Sequence, residues 1–311
     1  MKLIAAFFKL IRVLNLTFII VTQALFQFSI VVPMMSGNPH SAALPLNHFI
    51  LLSLSSVLIA AAGYIINDYF DLNIDRINKP DKNVLNTIIN RRWAIVWHLM
   101  LSLFGIAATA VAVGLSKWYL IVANVFCVAL LWLYSTSLKR RLLIGNIVIS
   151  LLAAWTVLIL FFAQVPFNEA FNSNNDITLK YFRLAFLFGG FAFIISLVRE
   201  AIKDIEDREG DAQYGCRTLP IYAGLRTTKI YITIWIVVLI AALIVLQLYI
   251  LQFGWWLAVI YSTILIIAPI CYLLLQLRKA QAVKEFSKLS TLTKIIMFTG
   301  IFSMVFFRLY F

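Results

Sequence analysis

The sequence predicts an all-α, polytopic membrane protein built as a bundle of nine transmembrane helices. Of its 311 residues, 63% are hydrophobic and only 13% are charged, whereas a soluble globular domain carries about 25% charged residues. The mean hydropathy is +0.95, and nine apolar runs have the length that a helix needs to cross a bilayer. This composition excludes a soluble globular protein, a disordered chain and a disulfide scaffold.

The nine predicted spans follow one another along a single domain, residues 1–311. They lie at about 15–33, 48–66, 94–114, 118–136, 142–163, 182–200, 229–251, 254–275 and 293–309. We expect the first span to be retained rather than cleaved as a signal peptide, because Lys9 and Arg12 interrupt the apolar run and no small-residue cleavage site follows. Acidic segments follow the second and sixth spans, which is the pattern expected of two four-helix halves plus a ninth helix.

Basic residues are divided unevenly between the two sides of the membrane that nine spans define. Twenty-two of the 26 Lys and Arg residues fall on the side of the N-terminus. The cytoplasmic side of a membrane protein carries such an excess. We therefore expect an integral protein of the cell (inner) membrane, with the N-terminus and both acidic segments in the cytoplasm. The same bias accounts for the net charge of +13 without a nucleic-acid partner.

The cysteine and histidine residues are scattered, and their spacing matches no metal or disulfide framework. We interpret all six as structural or incidental: Cys127, Cys216, Cys271, His40, His48 and His98.

Ten of the 13 acidic residues lie in two short segments, 68–81 and 200–211. At 100° per residue, the first segment aligns Asn67, Asp71 and Asp75 within an arc of about 80°. The second aligns four acids within about 60° and leaves Glu206 and Glu209 on the opposite face. The aligned acids of the second segment are Glu200, Asp204, Asp207 and Asp211. Each segment thus presents a stripe of carboxylates where a membrane helix emerges.

Such stripes need compensating cations, because like charges at i and i+4 repel one another and intramembrane acids are costly. One interpretation is a solvated helix end with salt bridges to Arg76, Lys79, Lys203 and Arg208. Two aligned stripes on one side of the membrane favour a second interpretation, a metal site. Oxygen ligands without Cys or His suit Mg²⁺, which completes its shell with water and substrate phosphates. Two facing stripes would hold Mg²⁺ around a diphosphate.

The two acidic motifs resemble those of the UbiA-type intramembrane prenyltransferase superfamily, as do their positions after the second and sixth of nine spans. The motifs are Asn67-Asp68-x-x-Asp71-x-x-x-Asp75 and Asp207-x-x-x-Asp211. Three further elements fit the resemblance: Arg12-x-x-Asn15, Tyr134-Ser135-x-x-x-Lys139-Arg140 and Gly145-Asn146. The resemblance implies Mg²⁺-dependent transfer of a polyprenyl group from its diphosphate to an acceptor.

The resemblance also implies roles for individual residues. Catalytic metal ligands would be Asn67, Asp71, Asp207 and Asp211. Substrate-binding or supporting residues would be Asp68, Asp75, Asp204, Lys139, Arg140, Lys203, Arg208, Tyr134 and Asn15. For each basic residue, an ordinary cytoplasmic-side charge is the alternative interpretation.

Within the superfamily, residues 75–80 and 203–207 look most like the branch of geranylgeranylglyceryl-phosphate geranylgeranyltransferases and chlorophyll synthases. This implies a geranylgeranyl donor and a glycerol-phosphate lipid acceptor, with an aromatic quinone precursor as the alternative. The branch usually continues into Arg-Pro-Ile-Pro-Ser-Gly, whereas this chain continues with Asp81-Lys82-Asn83-Val84-Leu85-Asn86. This difference from the branch affects the part of the expectation that names the acceptor.

Two other classes of function fit parts of the pattern. A cation transporter would bind its ion through the acids, but such sites usually lie near the bilayer midplane, whereas these acids lie at helix ends. A non-catalytic scaffold would not require two metal-competent stripes.

Four aromatic residues lie near the motifs: Tyr64, Tyr69, Phe70 and Tyr134. In a prenyltransferase they would stabilise an allylic cation by cation–π contact, with helix packing as the alternative interpretation.

Overall fold

The computed structural model describes residues 2–36, 43–78, 90–170 and 176–310. In these ranges nine helices are long and apolar enough to cross a membrane, which confirms the predicted fold class. They span Val13–Ser36, Leu46–Asp75, Arg91–Val113, Leu115–Thr136, Ile144–Gln164, Asp176–Glu206, Gly224–Leu251, Trp256–Lys279 and Val283–Tyr310. We number them first to ninth. The second continues as helix to Asn78.

Large apolar side chains cover the outside of these helices. Leu103 and Val111 on the third helix are 65% and 70% exposed, and Val245 on the seventh is 67% exposed. A soluble protein rarely exposes such contiguous apolar area, whereas lipid accommodates it without cost. The chain is therefore an integral membrane protein.

The sixth helix occupies a central position in the bundle. It packs against the fifth, seventh and ninth helices, while the second helix packs against the third and fourth. One apolar cluster joins the first, fifth and sixth helices around Phe26, Phe161 and Tyr181. A second joins the sixth to ninth helices around Ile202, Ile236 and Ile270. The second and sixth helices carry the two acidic motifs, and both are held from several sides.

Two π-helical segments interrupt membrane helices shortly before a proline. Phe26–Val31 precedes Pro33 in the first helix, and Thr263–Ile267 precedes Pro269 in the eighth. Proline lacks the N–H that would continue the i→i−4 ladder, and its ring collides with the preceding turn. A wider π turn relieves this collision while keeping the remaining backbone groups bonded inside the membrane.

A short helix, Lys2–Leu10, precedes the first membrane helix and meets it at Arg12. Arg12 lies in the left-handed region at φ 52° and ψ 57°, an uncommon conformation for a residue with a Cβ atom. The turn directs the chain into the membrane and brings the Arg12 side chain against the second helix, where its guanidinium donates to Asp68 over 2.5 Å.

The structure adds two details to the predicted helices. The sixth helix ends at Glu206, within the second acidic motif, and a short helix, Arg208–Gln213, follows. The polar and basic segment 278–292 is mostly helical, since the eighth helix ends at Lys279 and the ninth begins at Val283. Asn172, Asn174 and Asn175, between the fifth and sixth helices, lie outside the described residues, as does the departure at Asp81 to Asn86.

Candidate active site

The two acidic motifs line one small cavity of about 60 Å³. It lies where the second and sixth helices emerge on the same side of the bundle, and it is closed by the turn after the fourth helix and by the start of the fifth. Its lining residues include Asn67, Asp71 and Asp75 from the first motif, and Glu200, Asp204, Asp207 and Asp211 from the second. Arg12, Tyr134, Lys139, Asn146 and Lys203 complete its polar wall. We call this space the acidic cavity.

The first motif is held by hydrogen bonds along one face of the second helix. Asn67 donates its side-chain N–H to Asp71 over 2.8 Å. The Lys139 ammonium donates to the Asn67 carbonyl oxygen over 3.3 Å and forms an ion pair with Asp71. An amide oxygen and a carboxylate that share one ammonium show that this position attracts a cation.

Lys139 reaches the motif because its turn packs closely on the fifth helix. The 3₁₀ turn Leu138–Arg140 follows the fourth helix, and a Cβ atom on Gly145 would lie 2.8 Å from the Lys139 Cα atom. Only glycine permits that approach. Burial lowers the pKa of Lys139, although the neighbouring Asp71 carboxylate opposes the change.

The second motif keeps its acids together across the helix break. The Asp207 N–H donates to the Lys203 carbonyl over 2.9 Å, and the Asp211 N–H donates to the Asp207 carbonyl over 3.1 Å. Helical spacing therefore continues past Glu206, and all four aligned acids line the acidic cavity. Asn146 donates to Asp204 over 2.9 Å.

The two glutamates of this segment do not line the acidic cavity. Glu206 is half-buried and Glu209 is exposed. Cys216, which does line it, is a poor ligand at neutral pH because burial, with the Asp211 charge, raises the pKa of its thiol to about 11.

Negative charge prevails in the acidic cavity. Among the described residues, six carboxylates line it against three cationic side chains, Arg12, Lys139 and Lys203. Within the described ranges, no three His, Cys, Asp or Glu side chains converge closely enough to hold a metal ion by themselves. This arrangement suits Mg²⁺, which usually takes only one or two carboxylates and obtains its other ligands from water and phosphate oxygens.

A larger cavity of about 380 Å³ adjoins the acidic one. Most of its wall is apolar or aromatic and comes from several membrane helices, with Phe18, Trp155, Phe188 and Phe307 among the contributors. We call it the apolar cavity. The two cavities meet at the residues that line both: Arg12, Asn67, Tyr134, Glu200 and Lys203.

Four predicted substrate-binding residues do not line the acidic cavity. Asp68 pairs with Arg12, and Asn15 lines the apolar cavity instead. Arg140 and Arg208 line neither cavity, and both are exposed. For these two arginines the alternative of an ordinary cytoplasmic-side charge fits the geometry better.

The four aromatic candidates likewise divide into residues that line a cavity and residues that do not. Tyr134 lines both cavities, and Tyr64 lines the apolar cavity, where its ring lies 5.2 Å from the Arg12 guanidinium carbon. Tyr69 instead packs against Arg91, with 4.2 Å between the guanidinium carbon and the ring centroid. Phe70 packs edge-on against Trp132. Helix packing is therefore the better interpretation for Tyr69 and Phe70.

The whole bundle matches one known family. The model of the UbiA prenyltransferase family matches residues 25–300. The chain belongs to the UbiA prenyltransferase family. The resemblance predicted from the motifs is confirmed, and the protein is an enzyme of the prenyltransferase class.

Relatives within the UbiA family extend the comparison. The digeranylgeranylglyceryl phosphate synthase of Methanosphaera stadtmanae is 31% identical over 260 residues, which cover 82% of this chain and 87% of the relative. The enzyme of that name from Korarchaeum cryptofilum is 29% identical over 275 residues, which cover 87% of this chain and 89% of the relative.

Solved structures of UbiA homologues share the fold. An apo homologue from Aeropyrum pernix has a TM-score of 0.63 at 18% identity and covers 91% of this chain and 98% of its own. A homologue from Archaeoglobus fulgidus, solved with DMAPP and Mg²⁺, has a TM-score of 0.52 at 17% identity and covers 96% of this chain and 85% of its own.

Several residues that line the two cavities had no role assigned from the sequence. Arg12 and Asn146 occur in short elements that fitted the family, but no role was assigned to either. Arg199 and Lys294 line the apolar cavity and carried no local signal beyond their charge. Lys294 lies 91 positions after Lys203 in the chain, and only the packing of the ninth helix on the sixth brings them together.

Proposed function

We propose that this UbiA-family enzyme transfers a geranylgeranyl group from its diphosphate to a geranylgeranylglycerol-phosphate-type lipid, with Mg²⁺ as cofactor. The observation that carries the proposal is the junction of the two cavities. A carboxylate-lined space suited to a metal and a diphosphate opens directly into an apolar space suited to a prenyl chain. The names of the relatives support the glycerol-phosphate acceptor over an aromatic one.

Asn67, Asp71, Asp207 and Asp211 are the residues that we propose to hold Mg²⁺. Their side chains offer only oxygen ligands, they come from both sides of the acidic cavity, and the ammonium of Lys139 already occupies the cation position between Asn67 and Asp71. When bound, Mg²⁺ neutralises the diphosphate and stabilises the negative charge that develops on the leaving oxygens.

The chain's own cations would assist the departure of the diphosphate. Lys139 and Lys203 line the acidic cavity and can donate N–H bonds to phosphate oxygens, which are strong when both partners are charged. Arg12 is oriented by Asp68 so that it lines the junction. Donors that are held in place before the reaction stabilise developing charge with little reorganisation, and Arg12, which Asp68 holds, meets this condition.

The apolar cavity would hold the prenyl chain with its reacting end at the junction. There the rings of Tyr64 and Tyr134 can stabilise positive charge on an allylic carbon through their π faces. The apolar wall excludes water, which would otherwise capture the allylic cation in place of the acceptor.

The test is transfer by purified protein supplied with Mg²⁺ and labelled geranylgeranyl diphosphate. Geranylgeranylglyceryl phosphate and an aromatic quinone precursor are offered together, and the products are identified by mass. We expect an ether product on the glycerol lipid. Prenylation of the aromatic carbon alone would replace the proposed acceptor, and the absence of pyrophosphate release with either acceptor would reject the proposed reaction.

We further propose that the protein resides in the cell membrane with its N-terminus and the acidic cavity facing the cytoplasm. The basic-residue bias supports this orientation. Asn73 and Ala212 are exposed beside the two motifs, so Asn73→Cys and Ala212→Cys should both react with an impermeant thiol reagent only from the cytoplasmic side. Labelling of the two positions from opposite sides would contradict both the topology and the shared site.

A further inference from the structure

We propose that Arg199 and Lys294 bind the phosphate group of the acceptor lipid at the polar end of the apolar cavity. The inference rests on the proposed function and deepens it, because it assigns the residues that select an anionic acceptor headgroup. Neither residue belongs to the acidic motifs, and neither lines the acidic cavity.

The first argument is the charge of the apolar cavity. Four cationic side chains line it, Arg12, Arg199, Lys203 and Lys294, and Glu200 is its single carboxylate among the described lining residues. An uncompensated cation inside a membrane helix is costly. Lys294 lies in the ninth helix, close enough to Arg199, Lys203 and Arg12 to feel their positive charges, which the single negative charge of Glu200 only partly offsets. Mutually repelling cations beside an apolar wall are the arrangement expected of a site that receives an anion.

The second argument is unused hydrogen-bonding capacity. Arg199 donates one Nη1–H to Glu200 over 2.6 Å, while its buried Nε–H has no partner in the described part of the chain. No hydrogen bond or ion pair to another described residue engages the Lys294 ammonium. A guanidinium carries five N–H donors in a planar fork that matches phosphate oxygens. Both side chains can therefore bind a phosphate group without breaking an existing ion pair.

The third argument is position relative to the donor. The diphosphate is expected among the carboxylates and Mg²⁺, so a second phosphate there would face six acidic side chains. We place the alkyl chain of the lipid acceptor in the apolar cavity beside the donor chain, with its headgroup at the charged end of that cavity. Lys203 lines both cavities, so Arg199 and Lys294 are the cations left for the acceptor alone.

The decisive variant is Lys294→Gln, because removal of the Lys294 ammonium leaves no described residue without its ion-pair or hydrogen-bond partner. We expect the KM for geranylgeranylglyceryl phosphate to rise about 10- to 100-fold, the range for loss of a charged hydrogen bond, with the KM for the donor unchanged. The preference of the enzyme for this acceptor over geranylgeranylglycerol, which lacks the phosphate, should shrink by the same factor. Arg199→Gln should act in the same direction, and Lys294→Arg should restore most of the affinity.

Lys288→Gln is the matched control, because Lys288 lies on the same helix but is exposed and lines neither cavity. A second readout is direct binding of labelled geranylgeranylglyceryl phosphate to detergent-purified protein in the presence of a chelator, where no transfer occurs. Loss of this binding in Lys294→Gln supports the phosphate site even if the wild-type protein fails to transfer a prenyl group. A rise in the donor KM instead, or equal losses for both acceptors, would overturn the assignment.

Discussion

The acidic cavity and the apolar cavity differ in size, charge and origin. The acidic one is about 60 Å³ and the apolar one about 380 Å³. In the part of the chain that the structure describes, the acidic cavity carries six carboxylates against three cations, and the apolar cavity has four cations with one carboxylate. The acidic cavity takes its acids from two short segments, and the apolar cavity takes its wall from helices along most of the chain. Under the proposed function, this contrast would separate two tasks: binding the diphosphate and holding the hydrocarbon away from water.

The largest expected effect falls on the acidic cavity alone. We predict that a chelator in excess abolishes turnover and that added Mg²⁺ restores it, because the surplus of carboxylates cannot bind a diphosphate without intervening cations. The measurement is pyrophosphate release by purified protein. Turnover that persists after thorough chelation would remove the basis for a metal in the acidic cavity.

Substitution of one carboxylate from each motif tests whether the two motifs form a single site. Asp71→Asn and Asp207→Asn should each lower kcat by about 100-fold or more, as expected when a group that stabilises developing charge is lost. The double variant should be little worse than either single variant, since residues that act as a unit are non-additive. Protein amount and monodispersity are measured alongside. Multiplicative losses would indicate that the two motifs act independently.

Filling the apolar cavity should produce a smaller effect that depends on chain length. Ala192 lines this cavity, and we predict that Ala192→Phe lowers kcat/KM about 10-fold for geranylgeranyl diphosphate, as for overpacking that costs about 1–3 kcal/mol. Dimethylallyl diphosphate should be affected far less. Ala107→Phe, on the exposed face of the third helix, is the matched control. Equal losses with both donors would show that Ala192 does not contact the prenyl chain.

The smallest effects are expected on the outer face of the second motif. Glu206→Ala and Glu209→Ala should leave activity within a few-fold, as usual for solvated side chains, whereas Asp211→Ala, only two residues from Glu209, should nearly abolish it. Initial rates at saturating substrates make the comparison. A severe loss at Glu206 and Glu209 with a tolerant Asp211 would mean that the wrong helix face was assigned.

The nine membrane helices and the residues of the acidic motifs could be predicted from the sequence alone. Apolar runs of about 20 residues admit few structures other than a helix in lipid, because every backbone N–H and C=O must be bonded within the segment. The acids at i, i+4, i+7 and i+11 share a face by local helical geometry, which does not depend on the rest of the chain. The helix break at Asp207 did not disturb this alignment, because backbone hydrogen bonds continue across it.

The set of charged residues that share a cavity depends on the packing of the helices and could not be predicted from the sequence. Arg140 and Arg208 adjoin the motifs in sequence yet remain outside both cavities, while Lys294, from the ninth helix, lines the apolar one. The departure of Arg12 from the helical region brings its side chain to Asp68 of the neighbouring second helix. The physical reason is that helix periodicity is local, whereas the pairing of helix faces depends on how all nine helices pack, and a lone basic residue gives no local sign of its partner.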